Sequence, residues 1–567
     1  MKDESKNFVL FAVIAALILF GWPLVQSRFF PTANPPATKM VDGRNKPLPN
    51  PAADPTADSP AALRDRRIVL AESPRVRIDT PALKGSINLK GARIDDLVLT
   101  RYKETVAKDS PPIRLFSPAG TRDAYFAGFG WRAEGLTPPA ADVVWAASAP
   151  VLSPGRPVTL TAANAQGQRF AIQIAVDNDY LFTVKQTVAN GGSAAVPVAA
   201  YGLVNRIGVS KDPDSWTIHT GPMSVNNGAA HYNPNFKDVD EAPARFTTTG
   251  GWLGFTDKYW LAALVPDQGR AFDGQFRAGA NQSYQADFTT AAQLLPPGRQ
   301  LTQTAKLFAG AKEVKLLDRY TDTGAVTKLD YAIDWGWFRL VEKPIFYYLD
   351  WLFRLIGNFG VAIIILTLTI RLLVFPIAQR QFASMAAMRA LQPRMKALQE
   401  RYKDDKQRQQ QEIMALYKAE KVNPLAGCLP TLIQIPIFYA LYKALMLTIE
   451  MRHQPFALWI KDLSAPDPAT ILNLFGYIPI TLPHFLAIGV VPVLLGISMF
   501  FQFRLNPTQM DPAQQQVFNI LPWVLMFVMA PFAVGLQIYW ITTNCISIIQ
   551  QKWLYSRHPQ LKNAPTT

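Results

Sequence analysis

Arg371 stands alone inside an apolar run, residues 359–377, that contains no carboxylate to neutralise it. A guanidinium placed inside a bilayer costs several kcal/mol unless water or a partner meets it, so an intramembrane cation marks a functional position. At about 1.5 Å rise per residue it lies roughly 9 Å from the end of the run at Ile377. The chemistry available to such a group is attraction of polar or acidic matter into a cavity wetted from one side. Other polar residues line up at helical spacing: Thr367 one turn before Arg371, Thr431 and Gln434 three apart, and Gln537, Asn544 and Gln551 at every seventh position. Each pair alone is accounted for by bonds that hold helices together. Beside an unpaired Arg371 they favour a hydrated groove. Pro376, Pro430 and Pro436 keep the helices from packing flush.

These residues need spanning helices to position them. Apolar runs occur at residues 8–25, 359–377, 425–449, 485–503, 517–531 and 532–549, which predicts six spans. The first is expected to be a retained anchor rather than a cleaved signal, because its apolar core is long and no clear small-residue cut site follows. Between residues 379 and 422 there are ten Lys or Arg, whereas residues 450–484 carry only Arg452 and Lys461. Positive loops stay inside, so both termini are expected in the cytoplasm and the large middle region outside. The net charge of +15 is partly this bias and calls for no specific nucleic-acid partner. The two cysteines, Cys428 and Cys545, both lie in apolar runs, so neither a disulfide framework nor a zinc site is expected.

The middle region alternates apolar and polar residues at period two, as in Phe170, Ile172, Ile174 and Val176, then Phe182 and Val184 across Asp177-Asn178-Asp179. That pattern predicts hairpins and a β-sandwich. Trp131, Trp145, Trp216, Trp252 and Trp260 are expected in core and rim packing rather than in a sugar platform. His219 and His231 lack an accompanying acid or Cys pattern, so no metal and no cofactor is implied. Residues 331–358 mix aromatics such as Trp335, Trp337 and Trp351 with Arg339, Lys343 and Arg354, as in a helix lying in the membrane interface. After the second span, Met385, Met388, Leu391, Met395 and Leu398 recur at three- and four-residue steps, and Ile413, Leu416 and Tyr417 resume the pattern after a break at residues 402–405. This predicts a cytoplasmic helical hairpin whose methionines fill its own seam and can also adapt to apolar partners.

The runs KAEKVNPLAGCLPTLIQIPIF at 418–438, MRALQP at 388–393 and PFALWI at 455–460 resemble the YidC family of membrane protein insertases, related to the Oxa and Alb proteins of organelles. The likeness is close from the interfacial helix to Gln551, and the anchor and external domain match the Gram-negative form in arrangement. The resemblance implies a polytopic α-helical membrane protein with a five-helix insertase core, a periplasmic β-supersandwich and a cytoplasmic hairpin. The implied division is an anchor at 1–30, a Pro/Ala-rich linker at 31–66, the β domain at 67–325, an interfacial helix at 326–358, the second span at 359–378, the hairpin at 379–424, the remaining spans at 425–551 and a tail at 552–567. It places the groove on Arg371 and Thr367, with Gln434, Gln537, Tyr539 and Asn544 lining it. A greasy slide for substrate falls on Pro430, Ile433, Phe438, Trp523 and Phe527, and Met385, Met388, Met395 and Met414 lie on the hairpin. Trp540 stands where close relatives often have a second tyrosine, making that wall more apolar. Lys443 replaces an uncharged residue near the external end, where its stem is expected to snorkel to water.

The function implied is passage of nascent inner-membrane proteins from cytoplasm to lipid, alone or with the Sec translocon, and help with their folding. The signal-recognition particle, its receptor and the ribosome are further implied partners, although three basic residues after Gln551 argue against strong ribosome binding through the tail. No Walker-type motif is present, so a lowered barrier rather than a fuelled pump is expected. The rival from another class is a secondary transporter or channel for a small anion, but repeated halves and broken helices meeting at the midplane are not visible. An envelope enzyme would need an acid, base or nucleophile cluster in the external domain, and the sequence offers none that convinces.

Overall fold

The structure is a computed structural model that describes residues 39–41, 44–46, 64–133, 137–212, 218–336, 339–403, 405–420, 429–470, 488–505 and 512–557. The expected anchor and Trp216, Trp337 and Phe338 lie outside these residues.

Period-two patterning gives the strands where it was read. Arg169–Val176 pairs antiparallel with Leu181–Ala189, setting Ile174 opposite Val184 and Val176 opposite Phe182. The turn is closed by Asp177, whose carboxylate accepts from the Asp179 and Leu181 amides at 2.9 and 3.1 Å. Phe170, Ile172, Ile174, Phe182 and Val184 are all buried on one face. Each such side chain contributes about 1.5–3 kcal/mol by leaving water. This hairpin belongs to a nine-stranded sheet that faces an eleven-stranded one across a shared core. Trp131 and Trp145 stack at 6.4 Å and are buried with Trp252, and Trp260 is half-buried, so core packing accounts for these four.

Two short helices, α1 (Arg66–Ala71) and α2 (Phe236–Glu241), decorate the sheets, and α3 (Val314–Asp322) closes the domain. The helical half follows: α4 (Arg339–Ile356), α5 (Phe359–Ala390), α6 (Gln392–Arg401), α7 (Lys406–Ala419), α8 (Leu429–Leu447), α9 (Val490–Arg504), α10 (Pro512–Met529) and α11 (Val534–Arg557). On α4, Glu342, Phe346, Leu349 and Leu352 face inward, while Leu340, Tyr347, Trp351 and Leu355 are exposed. An apolar outer stripe on a helix whose other face is already packed suits a membrane surface.

Among the described residues one stretch, Phe359–Gln379, is long and apolar enough to cross a membrane by itself. The apolar stretches Gln434–Leu447, Val490–Arg504 and Asn519–Met529 are shorter. The start of α5 is fixed by Asn358, which accepts from the Val361 amide at 3.1 Å and donates to the Phe456 carbonyl at 2.9 Å. Gly360 is needed there, since a Cβ would collide with the Phe456 ring. α5 continues without a break past the expected end of the span to Ala390, so the first leg of the hairpin grows directly out of it. In the hairpin, Tyr417 donates to Met395 Sδ at 3.0 Å and Arg394 pairs with Glu420 at 2.7 Å.

The two halves are clasped together. The buried core of the sheets runs on into Ala444, Leu447 and Ile449 at the end of α8. Glu450 accepts the Val314 amide at 2.8 Å and so caps the first turn of α3, which has no side-chain cap of its own. Arg452 donates to the Lys103 and Glu104 carbonyls at 2.7 and 3.0 Å. Lys315 on α3 pairs with Asp350 on α4. Lys443 departs from the expectation of snorkelling to open water. It is buried, donates to the Asp334 carbonyl at 2.8 Å and lies 3.6 Å from its carboxylate, because the loop before α4 covers this end of α8.

Candidate functional site

Helix α5 carries Arg371 half-buried on the margin of an exposed apolar strip formed by Leu368, Leu372 and Leu373. Arg371 makes no hydrogen bond or ion pair among the described residues, and the Tyr539 hydroxyl of α11 lies within its electrostatic reach. That hydroxyl accepts a hydrogen bond from Gln434 Nε2 on α8. The structure therefore brings Arg371, Gln434 and Tyr539 together from three helices. Thr367, one turn earlier, is buried and its hydroxyl donates to the Ile363 carbonyl at 2.7 Å, so it closes the inner end rather than offering a group to a ligand.

The seven-residue stripe on α11 turns toward other neighbours. Gln537 Nε2 donates to the Met529 and Phe532 carbonyls at 2.9 and 3.0 Å, satisfying backbone acceptors where α10 ends. Asn544 Nδ2 donates to Ser498 Oγ on α9 at 2.8 Å, and its own Oδ1 is buried without a partner among the described residues. Tyr539 is two residues from Gln537, about 200° around the helix. The stripe therefore faces α9 and α10 while Tyr539 faces α5 and α8. Ser498 carried no signal in the sequence that set it apart from an ordinary small serine in an apolar run.

Phe438 meets Trp540 edge-on at 5.3 Å and Tyr539 at 6.5 Å, forming an aromatic wall beside the site. Across α10, Ile520, Trp523, Val524, Phe527 and Val528 are exposed, recurring at helical steps on one outward strip. Pro430 and Ile433 belong to α8 and Met385 and Met388 to α5, but their side chains lie outside the described residues. Met395 is half-buried in the hairpin seam, and Met414 is 52% exposed.

Where α8 meets the β domain, several titratable groups are buried. Among the described residues neither carboxylate oxygen of Glu342 is bonded, and burial pushes its pKa up to about 8 despite the pull of nearby Lys443. Burial likewise raises Glu450 to about 8, although the Val314 amide bonds to it. Lys312, bonded to Thr256 Oγ1 and the Ala332 carbonyl, is pushed down to about 8 by burial. Among the described residues no group of His, Cys, Asp and Glu is arranged to hold a metal.

Residues 75–348 match the family described as YidC periplasmic domain, and residues 351–562 the family described as 60Kd inner membrane protein. A membrane protein insertase YidC of Zymomonas mobilis is 51% identical over 561 residues, covering 98% of this chain and 96% of the relative. One of Methylorubrum extorquens is 43% identical, with coverage of 98% and 96%. Among solved structures, an active YidC insertase with its first transmembrane domain resolved aligns over 87% of this chain and 94% of its own, at 19% identity and a TM-score of 0.36.

Proposed function

Because the chain belongs to the YidC family of membrane protein insertases, a family of the bacterial inner membrane with a β-rich periplasmic domain, we propose that Arg371 is where it receives the polar flank of a nascent protein. The observation that carries this reading is the half-buried guanidinium of Arg371, unpaired among the described residues, beside the hydrogen-bonded Gln434 and Tyr539. A charge held without a protein partner gives up only hydration, and breaks no ion pair, when an incoming carboxylate or peptide dipole approaches. The amide and phenol beside it replace part of the water that the flank gives up. The attached apolar segment then moves along Phe438, Trp523 and Phe527 into lipid, driven by burial of its surface at about 25 cal/mol per Å². An acidic flank gains further from the membrane potential.

The finer assignments form part of the same proposal: six spans with both termini cytoplasmic, the division of domains given above, and a hairpin that receives substrate or its targeting factors. Nascent membrane proteins are the substrates. The Sec translocon and the signal-recognition particle with its receptor are the proposed partners. In support, the apolar runs at 359–377, 425–449, 485–503, 517–531 and 532–549 overlap in sequence with α5, α8, α9, α10 and α11. The hairpin's outward Met414 is available to an apolar partner. The test is protease protection of a newly synthesised one- or two-span protein, made beside proteoliposomes that contain only this chain. Protection that depends on the chain supports autonomous insertion; none, with the chain folded, means that a translocon is required or that the groove reading fails.

A further inference from the structure

A cleft of about 750 Å³ opens on the external side, between the 101–108 segment of the β domain, α4 and the loop after α8. Its Lys and Arg side chains come from three separate segments: Arg101, Lys103 and Lys108; Arg354; and Arg452 with Lys461, Arg101 being paired with Asp179 and Glu313. Arg452 ties the first of these in place through the Lys103 and Glu104 carbonyls, and Lys103 Nζ in turn bonds the Lys108 carbonyl at 2.6 Å. Arg354 is held by Asp350 at 2.9 Å. Lys108 and Lys461 are exposed and form no ion pair among the described residues. Among the described residues the lining carboxylates are those of Asp350 and Glu450, and Glu450 holds its proton near neutral pH. The cleft is therefore positive, and among the described residues Lys103, Lys108, Arg452 and Lys461 form no ion pair, the first and third bonding only carbonyls.

Its height relative to the membrane selects the ligand. Phe353 and Phe359, stacked at 3.8 Å, form an apolar part of the wall. Arg354 is flanked on α4 by the exposed Trp351 and Leu355, and Lys461 follows Leu458 and Trp459, which are 87% and 36% exposed. Cations directly above an apolar, aromatic rim match a phosphate joined to acyl chains better than a free soluble anion. We propose that this cleft binds the phosphate headgroup of an anionic phospholipid of the outer leaflet, with Lys108 and Lys461 as its charge contacts and Arg452 as the residue that positions the 103–108 segment. This goes beyond insertion and needs only that α4 lies along the outer surface.

The test uses the full chain in detergent, incubated with equal amounts of phosphatidylglycerol and phosphatidylethanolamine of the same acyl composition, and native mass spectrometry of the retained lipid. Phosphatidylglycerol is expected to be retained about tenfold over phosphatidylethanolamine. The preference is expected to vanish in Lys108→Glu/Lys461→Glu and persist in Lys185→Glu/Lys237→Glu, which reverses charge elsewhere on the β domain. A Lys108→Gln/Lys461→Gln variant with an unchanged unfolding midpoint should lose most of the preference, which separates binding from misfolding. Equal retention of the two lipids, or a preference unaffected by the 108/461 changes, overturns the proposal. Displacement of the lipid by equimolar glycerol phosphate would give the cleft to a soluble anion and also overturn it.

Discussion

Replacing Arg371 by Ala or by Lys separates charge from shape. Two unit charges about 4 Å apart interact by roughly 1 kcal/mol in water and roughly 4 kcal/mol at the effective dielectric of a protein surface. Arg371 is half-buried between these limits and makes no ion pair among the described residues that a substrate would have to break, so a carboxylate reaching it should gain about 2 kcal/mol. That corresponds to about 30-fold in the population of the loaded groove. Arg371→Ala should therefore lower insertion of a substrate with an acidic flank by about 30-fold when loading limits the rate, and lower insertion of the same substrate with a neutral flank by less than about 3-fold. Arg371→Lys keeps the charge and should lie between wild type and Ala for the acidic flank. The assay is protease protection in proteoliposomes at matched protein density, with flanks that differ only in Asp against Asn. Equal losses for both flanks in Arg371→Ala would refute the electrostatic argument, and equal activity of Ala and wild type would remove Arg371 from the mechanism.

Lys443→Met should destabilise the chain by about 2 kcal/mol, below the usual cost of breaking a buried pair because the Asp334 side chain is 29% exposed; a double-mutant cycle with Asp334→Asn in chemical denaturation measures the coupling. Glu450 holds its proton to about pH 8 when folded and releases it near 4.5 when unfolded, so the folded state binds more protons between those values and stability should fall as pH rises through that window. Glu450→Gln should flatten part of this slope in unfolding midpoints taken at pH 5, 7 and 9, and adding Glu342→Gln should flatten more, since Glu342 titrates over the same window. An unchanged slope in both variants would remove these carboxylates as its source. Photocrosslinkers at Trp523 and Phe527 should label the apolar segment of an inserting protein, whereas one at the buried Leu495 should not; equal labelling would show that the exposed strip on α10 is not a path.

How much of this was legible in the sequence depends on the range of the interactions. The hairpin from Arg169 to Ala189 follows from local alternation and a turn that Asp177 closes by itself. Arg371 was visible because a lone charge in an apolar run has no bland explanation. The stripe of Gln537, Asn544 and Gln551 was visible as a face, but periodicity cannot say which neighbour a face meets; Asn544 meets Ser498, and the phenol that reaches Gln434 projects from almost the opposite side. Lys443 was misread for a related reason. Its stem length allowed snorkelling, and nothing in the surrounding residues announced that Asp334, 109 positions earlier, would cover it. Pairings of this span depend on how two independently patterned halves dock, which no local pattern encodes.

The contacts that clasp those halves also impose an order on the chain's own biogenesis. Glu450 is made 136 residues after the helix whose first turn it caps, and Arg452 349 residues after the carbonyl it holds. Synthesis runs from the N-terminus, and domains generally fold as units as they emerge. The sheets can close as soon as residue 311 is available, while their clasps still belong to unmade chain. A product interrupted before residue 443 would carry a finished β half with Asp334 uncovered by Lys443 and α3 uncapped by Glu450. Synthesis past the clasps is thus registered on the β half by the disappearance of those groups, a chemical difference by which a protease or chaperone outside the membrane could tell a chain stopped before residue 443 from one that has made Lys443, Glu450 and Arg452.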